Sequence, residues 1–383
     1  MIIYFALLIP VLTAIALYYF FAHKTLWWEF AIPFLASLIM VVLLKLAVDS
    51  YVVRSEEYWG SFVDKVEYYE KWDEWIDETC YRECCCDSKG QNCSQEPYDC
   101  SYRKIHDPSW KIINTIGEEI SISEKEYNRI KRTLGNEEFV DMHRDYHRID
   151  GDMYFSRWTG DSITAIPVTT LHWYDNKIKA TDMSVFKFLD VDTADIRRYD
   201  LKEYPPIINN YQMQAVLGDS GMDARIANKK LQYINGALGH DREMRAFILV
   251  FKNQTMDAAF KQEAYWQGAN MNEFVVCIGI DDERNVKWCK VLSWTYNRRL
   301  KSETQDMVMD QKRLNLRNIA DTLNYSLRDF QRRDFREFDY LTVEPSIWAI
   351  IGCYLLVLAM NIGISAWVIH NEFQERSSDH RRW

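Results

Sequence analysis

"RAFILVFKNQTMDAAFKQEAYWQGANMNEFVVCIGIDDERNVKWCKVLSW", residues 245–294, decides the fold class of this chain. Residues 244–252 are a short apolar run rich in aromatic and β-branched side chains and closed by a lysine, which predicts a buried strand. Thr255 and Gly268 then bracket a helix as N-cap and stop signal. Residues 273–280 and 286–294 repeat the buried-strand signal on either side of the acidic turn "DDERN". Upstream, residues 222–238 read as a helix; downstream, residues 298–335 contain a long charged helix. This order of helix, strand, helix, strand, strand, helix is that of an α/β sandwich. If Ile280 pairs with Val286, Cys277 lies opposite Cys289 on one face. Buried free thiols are the commoner outcome for such a pair, and a cross-strand disulfide is the alternative in an oxidising compartment.

Around this segment the chain is uneven. It has 383 residues, 14 Trp, 23 Tyr and a formal net charge of -10. Without a basic stripe, that balance excludes a nucleic-acid partner. Mean hydropathy is slightly negative, yet the apolar residues concentrate at the two ends. Residues 2–21 and 347–369 carry no charge, and residues 30–48 carry only Lys45, close enough to the end to snorkel. Trp27, Trp28, Trp348 and Trp367 sit near span ends as interfacial anchors. The first segment lacks the basic n-region of a signal peptide and is followed at once by the second, so the two read as a membrane hairpin. Three spans predict a multi-pass membrane protein in contact with the lipid bilayer.

Lys24 in the 22–29 loop and Arg376, Arg381 and Arg382 in the tail place those two segments in the cytoplasm by the positive-inside rule. The middle region is then extracytoplasmic, with Arg54, Arg332, Arg333 and Arg336 as the counter-signal. Six of the nine cysteines, Cys80, Cys84, Cys85, Cys86, Cys93 and Cys100, fall within residues 80–100. On the outer face an even cluster reads as a disulfide framework, with fifteen pairings open. Structural zinc is the runner-up, but the repeated C-x₂-C spacing it favours is absent.

Between span and cysteines, Trp59, Phe62, Val66, Tyr69 and Trp72 recur at helical spacing, so residues 55–79 are expected as a helix with an aromatic face, for packing or for a partner. Ser123 and Glu126 form a capping box before a short helix ending at Gly135. Asp150-Gly151 and Asp175-Asn176 each predict a hairpin. His143 and His147, beside Asp141 and Asp145, have metal-ligand chemistry, although a solvated strand face has the same composition. Pro205-Pro206 marks a boundary. The expected organisation is an α+β membrane protein: a transmembrane hairpin (1–50), an aromatic helix with a disulfide-rich β-rich subdomain (51–200), an α/β/α sandwich with a juxtamembrane helix (201–345), and a third transmembrane helix with a short tail (346–383).

Three landmarks of the opening segment carry a resemblance. Trp266-Gln267-Gly268 at a helix end, Asn272-Glu273-Phe274 opening a strand, and Asp281-Asp282 at the turn after it resemble the pattern of the TPM domain of membrane-attached proteins over residues 229–330. The whole chain also resembles uncharacterised three-span membrane proteins of large tailed phages and bacteria. The TPM resemblance implies a sandwich outside a membrane with a divalent ion, Ca²⁺ or Mg²⁺, held by acidic loops, here Asp281 and Asp282. It implies phosphatase activity for some members and an assembly or modulatory role for others. Asn270, Met271 and Asn272 replace a Gly-rich approach, and the N-terminal subdomain is extra. The chain has no G-x-S-x-G, H-E-x-x-H, P-loop or G-x-G-x-x-G. The expected function is therefore a membrane-anchored module for protein interaction or ion-dependent binding and assembly, with a membrane or envelope protein as partner. The alternative is a metal-dependent phosphatase. Gly363 in "NIGIS" suits helix contact and homo-oligomerisation.

Overall fold

The computed structural model describes residues 2–21, 27–84, 94–134, 141–145, 153–159, 166–179, 190–341, 343 and 347–379. A 3-10 segment (Ile2–Leu7) leads into α1 (Leu8–Phe21), and α2 follows (Trp27–Val53). At Arg54 the chain turns to strand, not to the helix expected over 55–79: β1 (Arg54–Tyr69) is sixteen residues long. Two causes override the helical spacing. Tyr58, Trp59, Phe62, Val63, Val66, Tyr68 and Tyr69 all favour a pleated surface. Gly60, which weakens a helix, lets a neighbouring helix backbone approach closely.

β1 is the spine of a six-stranded sheet. After β2 (Trp72–Ile76), β3 (Thr79–Cys84), β4 (Ser94–Asp99) and β5 (Tyr102–His106) come β6 (Ser109–Asn114) and β7 (Glu119–Ile122). Helix α3 (Glu124–Leu134), β8 (Asp141–Asp145), β9 (Met153–Thr159) and β10 (Pro167–Asp175) complete the region. The order is β7-β6-β1-β9-β8, with β10 also on β1. Val63, Val66, Ile112, Ile122, Ile130 and Val168 form its core. Ser123 caps α3 as expected, accepting from the Glu126 amide at 3.2 Å. The Glu126 carboxylate instead takes Arg129 and Tyr211, so the box closes only on one side. β8 and β9 pair as a hairpin with Asp145 opposite Met153, and the turn expected at Asp150-Gly151 lies outside the described residues. The second hairpin does not form at Asp175-Asn176. β10 pairs with β1, and Asn176 caps a turn by accepting from the Lys179 amide at 3.2 Å.

The opening segment folds largely as its grammar predicts. After α4 (Thr193–Arg198) come β11 (Val216–Leu217), α5 (Met222–Gly239), β12 (Arg245–Lys252), α6 (Asp257–Tyr265), β13 (Glu273–Ile280) and β14 (Val286–Ser293). β11, β12 and β13 are parallel, and β14 is antiparallel at the edge. On one face Ala227, Leu231, Ile248, Val276, Ile319 and Leu323 form a core with the helices; on the other Phe247, Phe251, Ala259, Trp266 and Val275 do. Two details differ. Met256, not Thr255, is the N-cap of α6. The expected long helix is two, α7 (Arg298–Met309) and α8 (Leu316–Ser326), because Asn315 caps a new helix and Asp223 accepts from its first amide, that of Leu316, at 2.7 Å.

Cys277 and Cys289 do not meet. Ile280 pairs with Val286 as expected, but a register shift after Gly279 sets Ile278 against Cys289 and Cys277 against Lys290. A one-residue slip moves a side chain to the opposite face. Cys277 therefore joins one core and Cys289 the other, both as buried free thiols.

The C-terminal helix α9 (Ile347–Asp379) carries the third apolar span. Three helices, over Ile3–Phe20, Ala31–Val53 and Ile347–Trp367, are long and apolar enough to cross a membrane. Ile3, Ala6, Val41, Cys353 and Val357 pack between them, while Phe5, Leu12, Leu43, Leu355 and Trp367 are exposed to where lipid would lie. Asn361 donates to Ser37 Oγ and to the Val357 carbonyl, both at 2.8 Å, polar glue of the sort that joins membrane helices. A Cβ at Gly352 or Gly363 would meet nothing within 4 Å, so Gly363 makes no close helix contact among the described residues.

The chain divides into two compact units. One is Met1–Glu56, Trp173–Lys187 and Asp334–Trp383; the other is Glu57–His172 and Phe188–Arg333. Within the second, Arg332 grips the buried Glu57 with two hydrogen bonds of 2.8 and 2.9 Å and also pairs with Glu243. That clasp ties the unit's first residue to its penultimate one.

Candidate functional site

The acidic turn is built by the end of β13. Asp281 accepts from the Asn285 amide at 2.7 Å and from Asn285 Nδ2 at 2.9 Å, which closes the turn, and pairs with Lys287 at 2.9 Å. Asp282 pairs with Lys252 at 3.0 Å and accepts from Asn253 Nδ2 at 3.0 Å. The lysine hydrogen bonds hold both carboxyls below the usual carboxylate range. Each carboxylate thus already has a cationic partner and an amide donor where a divalent ion would need open oxygens. His143 lies on β8, but its side chain and the whole of His147 fall outside the described residues.

The Asn-Met-Asn-Glu run before β13 serves packing. Glu273 is fully buried, accepting from the Asn270 amide at 3.0 Å, Asn270 Nδ2 at 2.8 Å and Tyr204 OH at 2.5 Å. Asn272 donates to the Tyr58 carbonyl at 3.0 Å. Tyr204 stacks on Tyr58 and packs against Trp266, and burial pushes its phenol well above the ordinary range. Glu273, Asn270 and Tyr204 thus bond one another, while Asn272 Oδ1 is buried without a partner among the described residues.

A more open feature is the cysteine region itself. β2 pairs with β5, β3 pairs with β4, and one register runs through both, with the Cys100 amide bonding the Glu78 carbonyl at the joint. The four strands therefore make one ribbon, thirteen residues on each side, about 40 Å long at strand rise. Cys80 and Cys100 form a disulfide across it, with Cα atoms 5.7 Å apart. Cys85, Cys86 and Cys93 lie outside the described residues, as does the side chain of Cys84. Glu78, Cys80 and Cys100 bring ligand-type atoms together, but the two sulfurs are bonded to each other.

Cross-strand partners share a face. Tyr98 and Tyr102 therefore lie on the disulfide's face, and Tyr81 and Ile105 on the other; all four are exposed. The ion pairs Arg82–Glu96 and Arg103–Asp73 are exposed and contribute little. Trp72 stacks on His106 at 4.5 Å where the ribbon starts. A two-stranded ribbon is marginal alone, so the disulfide is its main staple. Closing a loop of this length stabilises by roughly 3 kcal/mol. Reduction is therefore expected to speed amide exchange in residues 79–84 and 94–99 by about two orders of magnitude while β12 and β13 stay protected, as read by hydrogen exchange.

The sequence cues missed the ribbon because its strands are short and charged, without apolar periodicity. The opposite charges of "WDEW" and "YRKIH", acidic on one strand and basic on the other, were the available signal. No family model, curated protein or solved structure matches the chain.

Proposed function

We propose that this chain is a membrane-anchored interaction module whose recognition element is the disulfide-stapled ribbon. The supporting observation is the set of exposed aromatic and aliphatic side chains, Tyr81, Tyr98, Tyr102 and Ile105, carried on a ribbon with both faces open along Thr79–Arg82 and Gln95–Asp99. Tyrosines presented on a constrained backbone give contact area at low entropic cost, which suits protein recognition. The partner class is a membrane or envelope protein, since the apolar helices would confine the ribbon to a bilayer surface. A disulfide favours the extracytoplasmic side, in line with the basic loop and tail. A TPM-like character for the β11–β14 sheet fits its two helix-covered faces, and the assembly role fits better than the phosphatase.

Site-specific photo-crosslinking in the full chain, in its native membrane, tests the reading. A benzophenone amino acid at Tyr81 or Tyr98 is expected to give discrete protein adducts that disappear on reduction. The same probe at Tyr325, exposed on α8, is expected to give none. Equal adducts at all three positions would refute the ribbon as recognition element. For the acidic turn, Mg²⁺ and Ca²⁺ are expected to leave the Tm unchanged, and a chromogenic phosphate ester to go unhydrolysed. Turnover abolished by Asp281→Ala in a folded chain would establish the phosphatase instead.

A further inference from the structure

Arg245 opens β12 and is 2 % exposed, among the largest fully buried side chains in the described structure. Its guanidinium carries five donors and keeps its charge even when buried. Nη2 donates to Thr169 Oγ1 at 2.9 Å. Nε and Nη1 are buried and meet no acceptor in the protein. The candidate counter-charge is Glu273, its register partner on β13, whose carboxylate attracts the guanidinium across the strands. That carboxylate, however, is spent on Asn270 and Tyr204, and no ion pair reaches the guanidinium among the described residues. A buried charge with unmade hydrogen bonds is among the most costly features a fold can hold.

Beside it is a small cavity of about 20 Å³, lined by Thr169, Gln212, Gln232, Asn235 and Arg245 with three apolar neighbours. Such a space takes one water-sized particle. Part of its polar lining is committed elsewhere: Asn235 exchanges both its amide groups with the Ala246 backbone, and Gln232 donates to the Met213 carbonyl at 2.8 Å. What the site lacks is an acceptor of atomic size for Nε and Nη1. We propose that this cavity is a binding site for a monatomic monovalent anion of the halide class, held by Arg245. Polyatomic anions such as sulfate or a carboxylate are too large for it. The anion would bridge β12 to the start of β10 and to the segment through Gln212 and Met213, locking three separate stretches of the chain on one ion. This site is independent of the ribbon reading.

The test uses the full chain in detergent, exchanged into gluconate at constant ionic strength and pH. Titrating in chloride or bromide should raise the Tm saturably, by roughly 5 °C at about a hundred times Kd. In Arg245→Met, which keeps the volume and removes the charge, the halide response should vanish. Equal melting in gluconate and chloride would mean that the cavity holds water, and would overturn the proposal; so would a full halide response in Arg245→Met. If that variant does not fold, crystals soaked in bromide decide the matter. An anomalous peak beside Arg245 Nε supports the site, and bromide found only elsewhere refutes it.

Discussion

Gly60→Val is expected to leave the unit of Glu57–His172 and Phe188–Arg333 unfolded. A Cβ at Gly60 would lie 2.0 Å from the Asn235 carbonyl oxygen, and one at Gly239 would lie 2.4 Å from the Gly60 oxygen. The obstructing atoms are backbone on both sides, so no rotamer change relieves the clash. β1 and α5 touch main chain to main chain here, and Gly236 adds a third close approach, against Phe62. Separating the two elements would open both the β1 contact and the core under Leu231 and Ile234. Losses of this kind exceed about 4 kcal/mol. The full chain carrying Gly60→Val should show no cooperative melt by tryptophan fluorescence. A Tm within a few degrees of the parent would show that β1 and α5 can part.

Arg332→Met should produce the second largest loss, and one that depends on pH. Glu57 is buried, and desolvation already raises its carboxyl above the ordinary range despite the pull of Arg332; Glu243 adds a smaller push in the same direction. Removing Arg332 leaves Glu57 with the Trp59 indole N–H, at 3.0 Å, as donor. Breaking a buried pair on one side costs about 3–5 kcal/mol, or roughly 10 °C in Tm for a unit of this size. The sign follows from linkage. A carboxyl whose folded pKa is raised favours the folded state below its unfolded pKa, and that contribution is lost as pH rises through the folded value. The deficit of Arg332→Met should thus be largest at alkaline pH and shrink as pH falls into the ordinary glutamate range, where a protonated Glu57 needs no counter-charge. A deficit constant from acid to alkaline pH would show that the arginine acts by packing alone.

Much of this architecture is legible in the sequence, for identifiable reasons. "FILVF" and "FVVCIGI" are continuous apolar runs because β12 and β13 are covered on both faces, and such runs survive inspection without a partner in view. The spans are legible because lipid demands length and the absence of charge. β1 was obscured because both of its faces carry some apolar or aromatic residues, so a spurious helical spacing emerges, and a register shift between Val63 and Lys65 further blurs the alternation. Gly60 was the clue against a helix. The separation of Cys277 from Cys289 depends on a second shift, after Gly279, which composition does not encode. At the acidic turn the two aspartates were visible, as were Lys252 and Lys287. Only the fold shows that the lysines reach them, since one comes from the end of β12 and the other from β14.

The most direct measurement is thiol labelling from outside the cell. It uses a chain that keeps Cys80 and Cys100 and has Cys84, Cys85, Cys86 and Cys93 changed to Ser; Cys277, Cys289 and Cys353 are buried and silent. A membrane-impermeant maleimide added to intact cells should label nothing at first, and should label Cys80 and Cys100 after an impermeant reductant is added. Labelling that needs permeabilised cells and no reductant would put the ribbon in the cytosol as free thiols, and the account of a stapled, outward-facing module would fail.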